Sequence, residues 1–164
     1  MNNDQHTMHM NSKNSKGIYL KITVMIVVMF IAMYFIMFSM IDSFSNFIPN
    51  INNLYMSLLM TTAMIIIELI IMREMYSNKK LNISILLIST GIMVFSFFGI
   101  REQIGVGNKE FAKGMIPHHS AALLMSSKAN LTDPDLIQLK DSILSTQQRE
   151  IELMKSKLSE LQQK

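Results

Sequence analysis

The chain has 164 residues, of which 49% are hydrophobic and 16% are charged, and its mean hydropathy is +0.27. This composition is too apolar for an ordinary soluble domain and indicates a membrane protein. The sequence contains no cysteine, which excludes disulfides, thiolate zinc sites and cysteine nucleophiles and leaves histidine, methionine and carboxylates as candidate site residues. The net charge of +3, without a basic patch, gives no indication of nucleic-acid binding.

Three segments supply the roughly 20 mostly apolar residues that a helix needs to cross a lipid bilayer. They are Ile18 to Ile41, Leu54 to Met72, and Leu81 to Ile100. The first is too long for a signal-peptide hydrophobic region and no small-residue cleavage site follows it, so we expect it to be retained as an anchor. The sequence therefore predicts a tail at residues 1–17, a three-helix transmembrane region at 18–100 and a separate domain at 101–164.

Basic residues are unevenly distributed among the short loops, and lysine and arginine resist translocation. The tail carries Lys13 and Lys16, and the loop REMYSNKK between the second and third spans carries three more. The loop IDSFSNFIPNINN between the first and second spans carries none. We therefore expect the tail and the second loop to be cytoplasmic and the C-terminal domain to be extracytoplasmic.

After the glycine-containing linker REQIGVGN, two helical stretches complete the all-α chain. The first repeats at steps of three and four and predicts one buried seam, formed by Phe111, Met115, His118, Ala122, Met125 and Ala129. Pro117 predicts a kinked but continuous helix. The second stretch starts with Asp133 as N-cap and Pro134 at the first helical position. Its seam comprises Ile137, Lys140, Leu144, Gln147, Ile151, Met154, Leu158 and Leu161.

A short turn between these stretches predicts an antiparallel helical hairpin. If the turn centres beside Leu131, Gln147 falls next to the layer of Met115 and His118, where it could satisfy a buried imidazole. Two helices of about 60 residues cannot enclose a core by themselves. We therefore expect a homodimer, in which two hairpins form a four-helix bundle.

Part of the C-terminal domain resembles a known family. The runs FAKGMIPHHSAALLM, DPDL and QQREIELM are similar to the family called domain of unknown function 305, over about Gly107 to Leu158. The resemblance implies a ferritin-like helical fold and extracytoplasmic copper binding that contributes to copper tolerance or handling. Several members carry three spans ahead of one such domain. Larger members repeat the hairpin within one chain, and the single copy here is a further reason to expect dimers.

The resemblance also implies a set of site residues. The family's methionine and histidine positions fall on Met115, His118, His119, Met125 and Met154, and its glutamine and glutamate positions fall on Gln147 and Glu150. The sequence departs from the family pattern at Ser120 and Leu124, where many members are more polar, so a family role is not expected there.

The chemistry of imidazole and thioether groups agrees with copper. Soft sulfur donors select Cu(I), for which Ag(I) could substitute, whereas zinc rarely uses thioethers. Adjacent histidines lie about 100° apart on a helix, so His118 and His119 cannot both follow one seam, but Met115 is close enough in sequence to approach either ring. In the alternative interpretation, the histidines are structural and the hairpin docks a partner protein.

Methionines are also frequent outside the hairpin. One stripe is predicted in each of the first two spans, comprising Met25, Met29, Met33, Met37 and Met40 in the first, and Met56, Met60, Met64 and Met72 with Glu68 in the second. These stripes are either part of a copper transport path or flexible packing. In the tail, HTMHM combines His6 and His9 with two methionines, which indicates either a cytoplasmic metal site or a disordered segment.

The sequence contains no catalytic constellation. No glutamate of the C-terminal domain has a histidine three residues later, which a di-iron carboxylate site in a helical bundle requires. There is also no P-loop, no dinucleotide-binding glycine motif and no Gly-x-Ser-x-Gly elbow. We therefore expect that the protein is not an enzyme.

Overall fold

The computed structural model describes the backbone of residues 2–163 and the side chains of residues 17–163. Within these residues, five α-helices follow one another: α1 (Asn2–Ile36), α2 (Ile51–Ile71), α3 (Lys79–Arg101), α4 (Asn108–Lys128) and α5 (Pro134–Gln162). A short 3-10 helix lies at Phe44–Asn46. Three stretches are long and apolar enough to cross a membrane, namely Gly17–Ile36, Ile51–Ile71 and Lys79–Arg101. The predicted all-α class, with three candidate spans followed by a helical hairpin, is confirmed.

The first span is shorter than the sequence predicted. α1 ends at Ile36 rather than at Ile41, because residues 37–40 form a turn. Met37 and Met40 therefore lie beyond the helix, and the prediction that they continue its methionine stripe is wrong. The side chains of the HTMHM segment lie outside the described residues, so both interpretations of that segment stay predictions.

The second span begins earlier than predicted. α2 starts at Ile51 rather than at Leu54, because the side chain of Asn50 accepts a hydrogen bond from the backbone N–H of Asn53 at 2.9 Å. This bond satisfies one of the amide groups that a helix start leaves unpaired. α2 ends before Met72, which therefore leaves the predicted second stripe as well.

The chain divides into two compact units. The span unit comprises the chain up to Tyr34 together with Tyr55–Phe98. The hairpin unit comprises Phe35–Leu54 and the chain from Gly99 onward. The hairpin unit thus contains α4, α5 and also the connection between α1 and α2, which we call the first loop.

The span unit has an apolar core and a polar cluster close to it. Ile22, Ile65, Leu69 and Tyr76 form the buried part of the core. The hydroxyl of Tyr76 donates a hydrogen bond of 2.5 Å to Oε1 of Glu68. The carboxylate of Glu68 thus has a partner from the connection between α2 and α3. Many large apolar side chains of this unit are exposed, as lipid-facing residues of membrane helices are.

The hairpin unit is held together by one apolar cluster. Ile116, Leu123, Ile151 and Leu158 are buried, and Ile48, Leu144 and Met154 pack against them. The predicted seam of α5 is confirmed from Ile137 to Leu158, where its residues are buried or half-buried, whereas its last predicted member, Leu161, is exposed. The start of α5 is also as predicted, because Asp133 accepts hydrogen bonds from the backbone N–H groups of Asp135 and Leu136.

The first loop is bonded to α4 through Ser120, which is fully buried. Its hydroxyl donates to Oδ1 of Asp42 and accepts from the Asp42 N–H at 2.9 Å and from Nδ2 of Asn46 at 3.3 Å. Gly114 lies about one and a half helical turns before Ser120 on α4. A Cβ atom added to Gly114 would lie 3.0 Å from Nδ2 of Asn52. Glycine thus permits a close approach between the first turn of α2 and α4.

These contacts explain why the predicted seam of α4 is wrong. The buried residues of α4 are Ala112, Ile116, Pro117, Ser120 and Leu123. Phe111, His118 and Met125 of the predicted seam are exposed instead. Because Ser120 must face Asp42 and Asn46, α4 is rotated by about one residue, or about 100°, from the predicted orientation. The helix is continuous through Pro117, as predicted.

Candidate metal centre

The side chain of His119 bridges the two helices of the hairpin. Its Nδ1 lies 3.0 Å from the carbonyl oxygen of Met115, one turn earlier on α4. Its Nε2 lies 3.1 Å from Oε2 of Glu150 on α5. The side chain is only 13% exposed, so both ring nitrogens are held in place by α4 and α5.

The hydrogen bond at Nδ1 determines what Nε2 can do. A backbone carbonyl can only accept, so Nδ1 carries the hydrogen. In the neutral ring, Nε2 then has a lone pair and is a potential metal ligand. In the protonated ring, Nε2 carries a hydrogen too and forms an ion pair with Glu150. A metal ion and a proton therefore compete for the same atom.

The contact between His119 and Glu150 fixes how the antiparallel helices align. It places Met115 level with Met154. The predicted alignment, in which Gln147 lies beside the layer of Met115 and His118, is wrong. The five-residue connection is extended where it leaves α4 at Ala129 (φ −69°, ψ 126°) and again at Asp133 (φ −76°, ψ 126°). Consequently α5 starts beyond the level at which α4 ends.

The candidate ligands implied by the sequence separate into two groups. His119 and Glu150 are in contact, and Met115 and Met154 lie in the adjacent layer, with Met154 packed against the core. His118 and Met125 are exposed. The ring of His118 is nearly perpendicular to that of His119, with an interplanar angle of 84° and centroids 6.1 Å apart. The two rings therefore do not converge on one point within a hairpin.

Gln147 lies on α5 about one turn from Glu150. Its Oε1 is buried and has no hydrogen-bond partner among the described residues. A buried acceptor without a partner costs stability and is common where a ligand or water completes the structure. Gln147 is therefore better placed to accept from a bound group than to satisfy the imidazole of His118.

No three histidine, aspartate or glutamate side chains in the described part of the chain converge so that they could hold a metal ion. The candidate ligands at this level are the free nitrogen of the His119 ring, the carboxylate of Glu150, and two methionines at neighbouring positions of the helices, Met115 one turn before His119 and Met154 one turn after Glu150. Such a set fits a soft monovalent ion, because hard cations require several oxygen ligands and zinc prefers nitrogen, thiolate and carboxylate.

Two depressions lie between α4 and α5 on the same side of the hairpin, one on each side of the level of the His119–Glu150 contact. The first is lined by Phe111, Leu153 and Leu161, among others. The second is lined by Met125, Leu136, Leu139 and Ile143, among others. We call this surface of the hairpin the groove face.

Sequence reasoning missed the α5 part of the groove face and the Ser120 cluster, whereas Phe111 and Met125 of the groove face belong to the predicted seam of α4. Leu136, Leu139, Ile143 and Leu153 recur on one side of α5, one residue out of phase with its buried seam, and this second stripe could have revealed the groove face. No local signal indicates the bonds of Ser120, because its partners lie in a distant loop.

Comparisons with known proteins show that the hairpin is the part of the chain that a family model matches. The family model "Domain of unknown function (DUF305)" matches residues 103–162. A protein of Acanthamoeba polyphaga mimivirus, described as "Uncharacterized protein L153", is 38% identical over 113 residues, which cover 68% of this chain and 72% of that protein. No solved structure matches. The family model thus matches the whole hairpin, and the similarity to the viral protein extends over more residues than the model. The chain therefore belongs to the DUF305 family.

Proposed function

We propose that this protein is a membrane-anchored metal-binding protein whose hairpin holds Cu(I), or Ag(I) in its place, and that it contributes to metal tolerance or handling outside the cytoplasm. The observation that carries the proposal is the geometry of His119. Its Nδ1 is held by the carbonyl of Met115, and its Nε2 is directed to the other helix of the hairpin. The side chain is thus oriented as a ligand before any metal arrives.

The surrounding groups support a soft ion. Nε2 of His119 and the thioethers of Met115 and Met154 would hold the metal, because imidazole and thioether donors suit Cu(I). In the protonated form of the ring, the carboxylate of Glu150 would accept a hydrogen bond from Nε2. The extracytoplasmic location is supported by the distribution of basic residues between the loops. We assign no catalytic role to the protein.

One observation favours a second candidate function. The same distance of 3.1 Å between His119 and Glu150 suits an ion pair that joins α4 and α5. In that case the histidine is structural, and the hairpin is an interaction module on a membrane anchor. The two functions differ in whether removal of His119 changes metal affinity or only the stability of the hairpin.

The test is a Cu(I) competition titration of the full chain in detergent, against a chromophoric chelator under reducing conditions. We expect His119→Ala to weaken Cu(I) binding at least about tenfold, or about 1.4 kcal/mol. Met115→Leu combined with Met154→Leu should also weaken it, although these changes nearly conserve side-chain volume. Ser145→Ala, an exposed change on α5, is the control. Unchanged Cu(I) affinity in both variants, with His119→Ala lowering only the unfolding midpoint, would establish the structural alternative.

A further inference from the structure

We propose that the groove face binds the groove face of a second copy of the chain, and that His118 of each copy completes the Cu(I) site of the other. This inference rests on the proposed function, because it names the source of a further ligand for the same site. The partner is a second copy of this chain, and the contact is a bundle of four helices.

The first support is the amount of apolar surface that one hairpin leaves uncovered. Six large side chains of the groove face are 37 to 59% exposed: Phe111, Met125, Leu136, Leu139, Leu153 and Leu161. Together the two ends present on the order of 500 Å² of apolar surface, on the scale of the apolar patches that mark interaction sites. This is more than half of the roughly 800 Å² that each partner contributes to a standard interface.

The second support is that the apolar residues lie on one side of the hairpin. Phe111 and Met125 are two heptads apart on α4, and so are Leu139 and Leu153 on α5. Residues at this spacing face nearly the same direction on a helix. The first loop is bonded on a different side, through Ser120 and through Lys155, whose Nζ donates to Ser45 at 3.1 Å. The groove face is thus not the side that the first loop covers.

The third support is the layered order along the groove face. Apolar residues occupy its two ends, and the His119–Glu150 pair lies between them. A twofold axis parallel to the helices makes every neighbouring pair of helices antiparallel, as in an up-down four-helix bundle. Each residue then meets residues of its own level, so apolar ends pack on apolar ends and the two histidine layers coincide.

Charge does not oppose this association. Lys157 and Glu160, beside one end of the groove, pair with each other at 2.8 Å. Lys140, beside the other end, lies 3.9 Å from Asp141. In the centre, His119 is paired with Glu150. Two copies of a surface whose charges are balanced locally do not repel each other. Such balance is required for binding a second copy, whereas a strongly charged partner would not require it.

The fourth support is that one hairpin leaves the ligand set incomplete. His118 is exposed and its ring does not converge with that of His119 in the same chain. It lies next to the groove face at the level of the candidate site. Contact between two groove faces would place His118 of one copy opposite His119 of the other. Metal sites in helical bundles are built in this way, from side chains on facing helices.

The first experiment separates the two copies. Leu139→Glu combined with Leu153→Glu introduces charge at both ends of the groove face, and Ser145→Glu combined with Ser159→Glu introduces equal charge at exposed positions elsewhere on α5. In detergent-solubilised full chain, we expect the leucine variant to be monomeric by multi-angle light scattering and to bind Cu(I) at least about tenfold more weakly, whereas the serine variant remains dimeric. A monomeric wild type, or a monomeric variant with wild-type Cu(I) affinity, would overturn the proposal.

The second experiment tests the exchange of His118 and does not depend on charged substitutions. His118→Ala and His119→Ala chains with different tags are coexpressed, and dimers containing both are isolated through the two tags. We expect each homodimer to have lost tight Cu(I) binding and the mixed dimer to bind one Cu(I) ion with wild-type affinity. If the mixed dimer binds no better than the homodimers, or if His118→Ala alone binds like wild type, the exchange is refuted. Failure of the wild-type protein to bind Cu(I) would refute the proposed function itself.

Discussion

At the level of single residues, Ser120 has a larger structural role than its small hydroxyl suggests. It is fully buried and is bonded to the side chains of Asp42 and Asn46 and to the backbone of Asp42. Of the candidate ligands identified from the sequence, Glu150 contacts the imidazole of His119 through its side chain, and Met115 contacts it through its backbone carbonyl. The sequence could not identify Ser120, because a serine between apolar residues has no pattern that distinguishes a buried hydroxyl from an exposed one.

We predict that Ser120→Ala destabilises the hairpin unit by about 1 to 3 kcal/mol, because it leaves the N–H of Asp42 without its acceptor and removes the hydroxyl that donates to the Asp42 carboxylate. The measurement is the urea unfolding midpoint of the full chain in detergent. Ser145→Ala is the matched control, since Ser145 is exposed and its hydroxyl donates only to the carbonyl of Ser142. Equal midpoints for the two variants would contradict the assigned role of Ser120.

At the level of helices, the sequence predicted α5 much better than α4. α5 has a cap and a first-position proline that define its start, and the seam predicted for it is the buried one of its two apolar stripes. α4 carries two apolar stripes displaced by one residue, one through Phe111 and Met125 and the other through Ala112, Ile116 and Leu123. Periodicity cannot choose between them. The choice depends on the first loop, which contacts α4 from a remote part of the chain.

The connection between α2 and α3 provides a prediction that depends on pH. Burial, together with the hydrogen bond to Glu68 and the charges of Glu68 and Tyr19, raises the pKa of Tyr76 from 10.0 to about 12. The protonated phenol therefore stabilises the folded protein fully below pH 10, and this contribution is lost as the pH rises through about 12. In a pH titration, we expect the difference in tyrosinate absorbance between the wild type and Tyr76→Phe to reach half of its maximum near pH 12.

Tyr34→Phe serves as the control in this titration, because it removes one phenol and leaves Tyr76 and Glu68 in place. The phase near pH 12 should persist in that variant. If the difference between wild type and Tyr76→Phe has its midpoint near the ordinary tyrosine pKa, the bond between Tyr76 and Glu68 is not formed in the protein.

At the level of the whole molecule, the number of spans was predictable and their ends were not. A run of about 20 apolar residues is a strong local signal, whereas the ends at Ile36 and Ile51 depend on a turn and on the side chain of Asn50. The sequence also did not indicate that Phe35–Leu54 joins the hairpin unit. Hydrogen bonds between residues that are 74 and 78 positions apart in the sequence produce no periodic pattern in either segment.

The predicted topology can be tested because the chain has no cysteine. We propose single changes at exposed positions, namely Phe44→Cys in the first loop, Ser77→Cys between α2 and α3, and Ser145→Cys on α5. A membrane-impermeant maleimide should label Phe44→Cys and Ser145→Cys in intact cells, and Ser77→Cys only after permeabilisation. The reverse pattern would place the hairpin in the cytoplasm and exclude an extracytoplasmic role.

The bonds between the first loop and Ser120 also constrain the order of events during biosynthesis. Asp42 leaves the ribosome 78 residues before Ser120, a delay of roughly 4 to 16 s at about 5 to 20 residues per second. During this interval the first two apolar helices can enter the bilayer while the turn that joins them still lacks its permanent partner. The hydrogen bonds of this turn to Ser120 can therefore form only after translation has reached the C-terminal part, and a chain that stops before Ser120 leaves the N–H of Asp42 without its acceptor.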